Sequence, residues 1–383
     1  EPLDANLARD THLEALWAGH LDSPSGVTAA AEAARAAPPG PEPTRAADLL
    51  LEAFALRLTQ GYAAAAPLLT RALELSLTPA GGNDEAGIWR RLADGRAGAI
   101  VALEVWDAES WHALAAVQAQ FTRDTGALVH LQYALNLLAM AHLFAGELTT
   151  AARLVDEDRL ITEVTGNPPV GYAAMALPAW QGQEAPASAL IESTSQAATA
   201  RGLGRMVSFA DYASSVLYNG LGRYDAARDP AWRAFQRDEL GCGPYVVPEL
   251  AEAAARTGDE KLVRAALQWL TERTRLAPTE WSLGIEARVR ARSARARPPS
   301  GTTASRSIGW GAPAFSCSWP ERICSTASGC AASDAASTRA RSCVQPAPCW
   351  RRWASTGSPS EPGVSCGSPA RPPASGRSRP ARS

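Results

Sequence analysis

The sequence predicts an all-α protein, a superhelical solenoid of antiparallel helix pairs followed by a disordered C-terminal tail. Three observations carry that expectation. Over residues 1–290 apolar residues recur with helical spacing, and strand-like alternation of β-branched residues is missing. Proline- and glycine-rich punctuation separates the apolar stretches. A unit of apolar helix, glycine and small-residue helix then recurs along the chain.

Residues 1–44 read as an N-terminal helical segment ending in a proline-rich surface loop, "RAAPPGPEPTR" (Arg35 to Arg45). Residues 45–291 read as a helical-repeat domain of about six helix–turn–helix units. The first two are "ALRLTQGYAAAAPLLTRALEL" (Ala55 to Leu75) and "ALEVWDAESWHALAAVQAQF" (Ala102 to Phe121), the second with Asp107 in place of the turn glycine. The next four turn at Gly146, Gly182, Gly222 and Gly258, spaced by 36, 40 and 36 residues. Each glycine supplies the left-handed backbone that ends the first helix. Two residues later an aromatic or leucine, Tyr224 or Leu148, packs back on the turn. Three further on an alanine, Ala227 or Ala151, lets the two helices approach. One pair cannot bury its apolar face alone, so neighbours must stack.

The chemistry changes abruptly after Leu283, the last leucine of the 383 residues. Residues 292–383 are rich in Ser, Pro, Gly, Ala and Arg and hold three acidic residues, Glu321, Asp334 and Glu361. Such a composition buries too little apolar surface to offset chain entropy, which predicts disorder. Six of the seven cysteines fall here: Cys317, Cys324, Cys330, Cys343, Cys349 and Cys366. An even set admits a disulfide scaffold, but no Cys-x-x-Cys pair supports zinc. A change of reading frame accounts for more. The arginine-rich, lysine-poor chain points to GC-rich coding DNA, in which a shifted leucine codon reads as cysteine. Back-translated and shifted by one base, "WPERICSTASGCA" (Trp319 to Ala331) can read Ala-Arg-Ala-His-Leu-Leu-Tyr-Gly-Glu-Trp-Leu-Arg. "RSCVQPAPCWRRWASTGSPSE" (Arg341 to Glu361) yields a second amphipathic helix in the same frame. The expected tail is therefore out of frame from near residues 290–300.

Composition narrows the function. A net charge of −2 argues against a generally basic nucleic-acid binder. No stretch reaches the roughly 20 apolar residues of a membrane span. The charged N-terminal residues 1–22 do not resemble a secretion signal, so a cytoplasmic location is expected. The chain begins at Glu1 rather than Met, which suggests a fragment or a processed product. Lys261, the only lysine, sits in "GDEKLVRAAL", which is not a phosphate loop. The five histidines, His12, His20, His112, His130 and His142, lack metal-ligand spacing and read as solvated or capping residues. The run "DEDR" (Asp156 to Arg159) reads as a solvated face. No catalytic constellation, cofactor site or metal site is expected. Trp106, Trp111, Tyr133, Tyr172, Trp180, Tyr212 and Tyr218 fall on the repeat helices, with core packing as the favoured role. A concave face holding some of them is the remaining route to a peptide or effector site.

Several segments resemble the large ATP-binding regulators of the LuxR family. They are "GNPPVGYAAMALPAWQGQEAPASALIE" (Gly166 to Glu192), "VLYNGLGRYDAA" (Val216 to Ala227), "PELAEAAARTG" (Pro248 to Gly258) and "WSLGIEARVRA" (Trp281 to Ala291). The resemblance covers about residues 1–291. In that family an ATPase module precedes a tetratricopeptide-like helical region, and a DNA-reading helix-turn-helix follows it. The resemblance implies that this chain is the middle region, which senses an effector or protein partner and relays it to oligomerisation. Neither a phosphate loop nor a helix-turn-helix is found here, so ATP and DNA binding are expected only of a full-length member. The alternative is a stand-alone tetratricopeptide-like adaptor that binds a partner protein.

An out-of-frame tail has a direct consequence. Trypsin should remove it quickly at its arginines and leave a resistant helical core ending near residue 290. Mass spectrometry of the core checks this, and a resistant fragment running past Cys349 would contradict it.

Overall fold

A computed structural model describes residues 5–21, 24–39, 45–78 and 85–296, with side chains outside 20–25, 85–94 and 292–296. Residues 297–383 with their six cysteines, and residues 40–44 of the proline-rich loop, lie outside the described residues, whereas residues 292–296, expected in the disordered tail, continue the last helix. Among the described residues the chain is entirely helical, with fifteen helices and no strand. Helix α1 (Ala5–Leu21) packs on α2 (Pro24–Ala36), α3 (Ala46–Gln60) on α4 (Tyr62–Ser76), and α5 (Glu85–Glu104) on α6 (Ala108–Asp124). The order continues with α7 (Leu128–Phe144) and α8 (Leu148–Thr165), then α9 (Tyr172–Trp180) and α10 (Glu184–Ala200). Then come α11 (Gly204–Gly220) and α12 (Tyr224–Arg237), α13 (Gly243–Thr257) and α14 (Glu260–Leu276), and finally α15 (Glu280–Ala296). Seven pairs and a last helix thus stand where the sequence suggested about six units. The additional pair is α1–α2, which is tied to α3 by an Arg9–Asp48 ion pair at 2.7 Å.

The turns repeat one hydrogen-bond scheme. In seven of them the first residue past the turn donates its N–H to a carbonyl five positions back, over 2.8–3.0 Å, as Glu147 does to His142 and Arg223 to Tyr218. This is the Schellman closure of a helix end, and it needs a left-handed residue just before the donor. Gly146, Gly182, Gly222 and Gly258 hold that place with φ of 76°, 69°, 75° and 74°. Gly126 and Gly202 hold it as well, so the turns come every 20 residues from Gly126 to Gly166 and from Gly182 to Gly222. The sequence reading registered only alternate turns. It also misplaced one. In the α5–α6 turn the left-handed residue is Trp106, with φ 60°, and Asp107 is the N-cap, its carboxylate accepting from Ser110 N at 2.9 Å. Trp106 therefore lies in a turn rather than on a helix.

Two kinds of helix alternate, and their sequences say why. Helix α7, "LVHLQYALNLLAMAHLF", is buried from Leu131 to Phe144 except at the half-buried Tyr133 and His142. Helix α12, "YDAARDPAWRAFQR", buries only Ala227, Ala231 and Ala234, a stripe of spacing four and three. Helix α8 likewise buries Ala151, Leu154, Asp158 and Ile161. The first kind packs on its own kind: α7 touches α9, α9 touches α11, and α11 touches α13. The second kind lies outside and presents one narrow ridge to the layer within. The row of pairs also curls back on itself, because α4 meets α14 and α5 meets α13.

Ala227 is fully buried and three residues past the half-buried Tyr224, over whose ring Arg256 sits at 5.2 Å. Replacing Ala227 with Trp should force α12 away from its neighbours and cost about 1–3 kcal/mol, since the position is wholly buried. Chemical denaturation reads this directly, and an unchanged midpoint would mean that Ala227 does not set the helix spacing.

Candidate functional site

The inner layer is lined with aromatic rings. Trp111 stacks on Trp281 at 6.1 Å with planes 6° apart, and both lie against Phe144. Phe144 continues to Trp180 at 5.4 Å and Tyr245 at 5.1 Å. From Tyr245 the contacts run to Tyr212, Phe209 and Tyr172. Trp180 Nε1 donates to the Tyr212 hydroxyl at 3.1 Å. At the other end Trp106 touches Trp281 at 5.4 Å and Trp269 at 6.1 Å. Edge-to-face pairs of this kind add about 0.5–1.5 kcal/mol each beyond area burial. Of the aromatics singled out in the sequence, Trp106, Trp111 and Tyr212 are buried, while Tyr133, Tyr172, Trp180 and Tyr218 are half-buried.

A charged seam closes the curl beside this layer. Arg57, on α3, donates Nε to Glu104 Oε2 at 3.0 Å, and both are buried. The other Glu104 oxygen accepts Gly241 N at 2.6 Å. Arg57 also pairs with Asp238 at 2.9 Å, and Asp238 pairs with Arg273 at 3.2 Å. Arg273 lies over the Tyr62 ring at 4.5 Å, and Thr279 Oγ1 donates to the Trp106 carbonyl at 2.7 Å. Trp106 and Asp238, the two non-glycine residues with positive φ among those described, both stand on this seam.

One cleft opens on the inner layer. Tyr133 and Met140 of α7, Tyr172 of α9, Arg205 and Phe209 of α11 and Tyr245 of α13 line it. Arg205 follows the first residue of α11 and is only 6% exposed. It lies 5.9 Å from the Tyr172 ring centre and donates Nη1 to the Leu240 carbonyl at 2.9 Å. Its buried Nε–H meets no acceptor. Nearby, burial pushes the Cys242 thiol up to about 12 and raises the Tyr172 hydroxyl as well. Neither is a nucleophile at neutral pH.

Polar residues read as surface groups are in places interior. Asp158, in the "DEDR" run, is 3% exposed rather than solvated. Its Oδ2 accepts Asn136 Nδ2 at 2.8 Å, while Asn136 Oδ1 takes Ala173 N at 3.0 Å, so one amide joins α7, α8 and the start of α9. Burial raises the Asp158 carboxyl above its usual range. Its neighbour Glu157 pairs with Arg123 at 2.8 Å, and Asp156 and Arg159 are exposed, as the run suggested. His112 and His142, thirty residues apart in sequence, meet edge-to-face at 5.0 Å. His142 Nδ1 lies 2.8 Å from Glu147 Oε2. Lys261 is exposed at the start of α14. Among the described residues no three His, Cys, Asp or Glu gather as a metal site.

No protein-family model, curated protein or solved structure matches this chain. Among the described residues no helix is long and apolar enough to cross a membrane.

The strained turn gives an inverted substitution series. Truncating Trp106 to Ala should cost about 3–5 kcal/mol through lost packing. Glycine in a regular element is normally worse than alanine, but at φ 60° it relieves roughly 1–2 kcal/mol of left-handed strain. Trp106→Gly should therefore be the more stable of the two by about 1 kcal/mol. Denaturant midpoints check the order, and a less stable glycine variant would contradict it.

Two histidines set a pH dependence. Burial, then the adjacent His142, holds His112 below the usual imidazole value, with Glu147 opposing. Burial, then Arg96, does the same to His130, with Glu14 opposing. The unfolded chain takes up protons near pH 6.5, before the folded chain does. Stability from these groups is thus complete above about 6.5 and is lost as pH falls below it. The melting temperature should drop between pH 7.5 and 5.5, and His112→Gln should flatten that slope. An unchanged slope in the variant would remove His112 from the account.

Proposed function

We propose that residues 45–291 form a tetratricopeptide-like superhelix of antiparallel helix pairs, the sensing region of a transcriptional regulator similar to the LuxR-type ATP-binding regulators. It acts by binding, not catalysis. It receives a small effector or a protein partner on its inner layer and relays occupancy to self-association. The chain itself takes no ATP, metal or nucleic acid, and it works in the cytoplasm.

The single observation that carries a sensing role is the cleft at Arg205. A buried cation with an unused donor, ringed by aromatic side chains, is a poor device for stability. It is a good one for recognising a guest. The cleft is built by four separate helices, α7, α9, α11 and α13, so a guest that seats there bridges the array. The succession of short Schellman turns and the layering of the helices support the superhelical reading. The regulator reading rests on the resemblance of the segments between Gly166 and Ala291.

Reading the coding DNA on both sides of the gene tests the regulator assignment. It predicts a phosphate-loop ATPase encoded upstream in frame, and a helix-turn-helix in the alternative frame downstream. Unrelated genes or immediate stop codons on both sides would favour the adaptor that binds a partner protein. A fluorescent ATP analogue titrated into the chain should show no saturable binding, because Lys261 stands on an exposed helix start with no glycine-rich loop before it. Saturable micromolar binding at one site would overturn that part of the proposal.

A further inference from the structure

We propose that the Arg205 cleft is a site for a small organic monocarboxylate, with the carboxylate on the Arg205 guanidinium and the hydrocarbon body among Tyr133, Tyr172, Phe209 and Tyr245. This deepens the sensing role proposed above and rests on it.

The charge of the site selects the class. The Arg205 guanidinium is permanently protonated and almost wholly removed from solvent. One of its donors is spent on the Leu240 carbonyl. Glu239 forms a long ion pair with Nη1 at 3.9 Å, beyond hydrogen-bond length, and its other oxygen accepts from Ser208 Oγ at 2.5 Å, so it takes up none of the guanidinium donors. The buried Nε–H is left with no acceptor. A buried donor without a partner is costly, and a carboxylate oxygen is the strongest acceptor for it. The rest of the lining is aromatic and aliphatic, with Asn136 already committed to Asp158 and Ala173. One cation in an apolar lining therefore matches one negative charge on a hydrocarbon body. A phosphate dianion would bring a second charge that nothing in the cleft neutralises.

The cleft holds about 320 Å³ of empty space, counting the part open to solvent, and beside its walls it now has room for about one water molecule. Met140 is the wall that can yield. Its unbranched thioether has three rotatable bonds and packs in many shapes. A guest therefore enters by displacing the Met140 side chain, not by filling a ready-made cavity.

Benzoate is a suitable probe, with benzamide as its neutral isostere and inorganic phosphate as the competing anion. Isothermal titration of the full chain should show saturable benzoate binding at one site, and benzamide and phosphate weaker by about tenfold or more. Arg205→Met removes the charge and every guanidinium donor while keeping an unbranched side chain, so it should abolish the preference for benzoate over benzamide. Circular dichroism checks that this variant folds; if it does not, benzoate against benzamide on the unaltered chain decides. Four results overturn the site: no saturable binding up to about 10 mM, equal binding of benzoate and benzamide, a preference for phosphate, or a folded Arg205→Met that keeps the benzoate preference. Sedimentation with and without benzoate separates the two proposals. Binding that leaves self-association unchanged supports the site and overturns the relay.

Discussion

The Glu104 carboxylate is the point on which the closed array depends. It accepts Arg57, 47 residues earlier, on one oxygen and the Gly241 backbone, 137 residues later, on the other. A row of helix pairs joined by short turns has local contacts only, and nothing in such turns makes its two ends meet. Here one buried carboxylate ties α3 to the segment between α12 and α13. The ion pair does not make the fold stable by its own Coulomb energy, because desolvating both partners offsets much of that gain. Its force is conditional. Once the curl has closed, opening it strands the Gly241 N–H without Glu104 and parts Arg57 from Asp238.

Closure gives the aromatic layer its present role. An open superhelix would expose Trp106, Trp111 and Trp281 along its concave side. In the curled array those rings pack on one another, and Trp106 bears a left-handed backbone to reach its place. What remains open is the stretch between α7 and α13, where Arg205 interrupts the rings. The same curl thus buries much of the inner face and leaves the Arg205 cleft in it.

Much of the helix arrangement was legible in the sequence, and the reason is periodicity. The α12 stripe Ala227, Ala231 and Ala234 and the left-handed glycines at 146, 182, 222 and 258 are local patterns, readable within one helical unit. The intervening turns at Gly126 and Gly202 follow the same rule and were visible at a spacing of 20 residues. The turn at Trp106 was hidden, since tryptophan stands where the pattern demands glycine. Asp158 was misread because three of the four residues in its run do face solvent or the protein's edge. Arg57, Glu104 and Arg205 left no trace. Their partners lie 35 to 181 residues away. In a chain with one lysine among 37 basic residues, no single arginine stands out.

Native-state hydrogen exchange on the unaltered chain and on Glu104→Gln tests the closure most directly. Glutamine keeps the size of the side chain and removes the charge that holds Arg57. If the carboxylate ties the early and late helices into one cooperative unit, amides in α3 to α5 and in α12 to α14 should lose protection together, by a similar factor. Loss confined to α5, with α13 and α14 exchanging as before, would show that the two ends hold independently of Glu104.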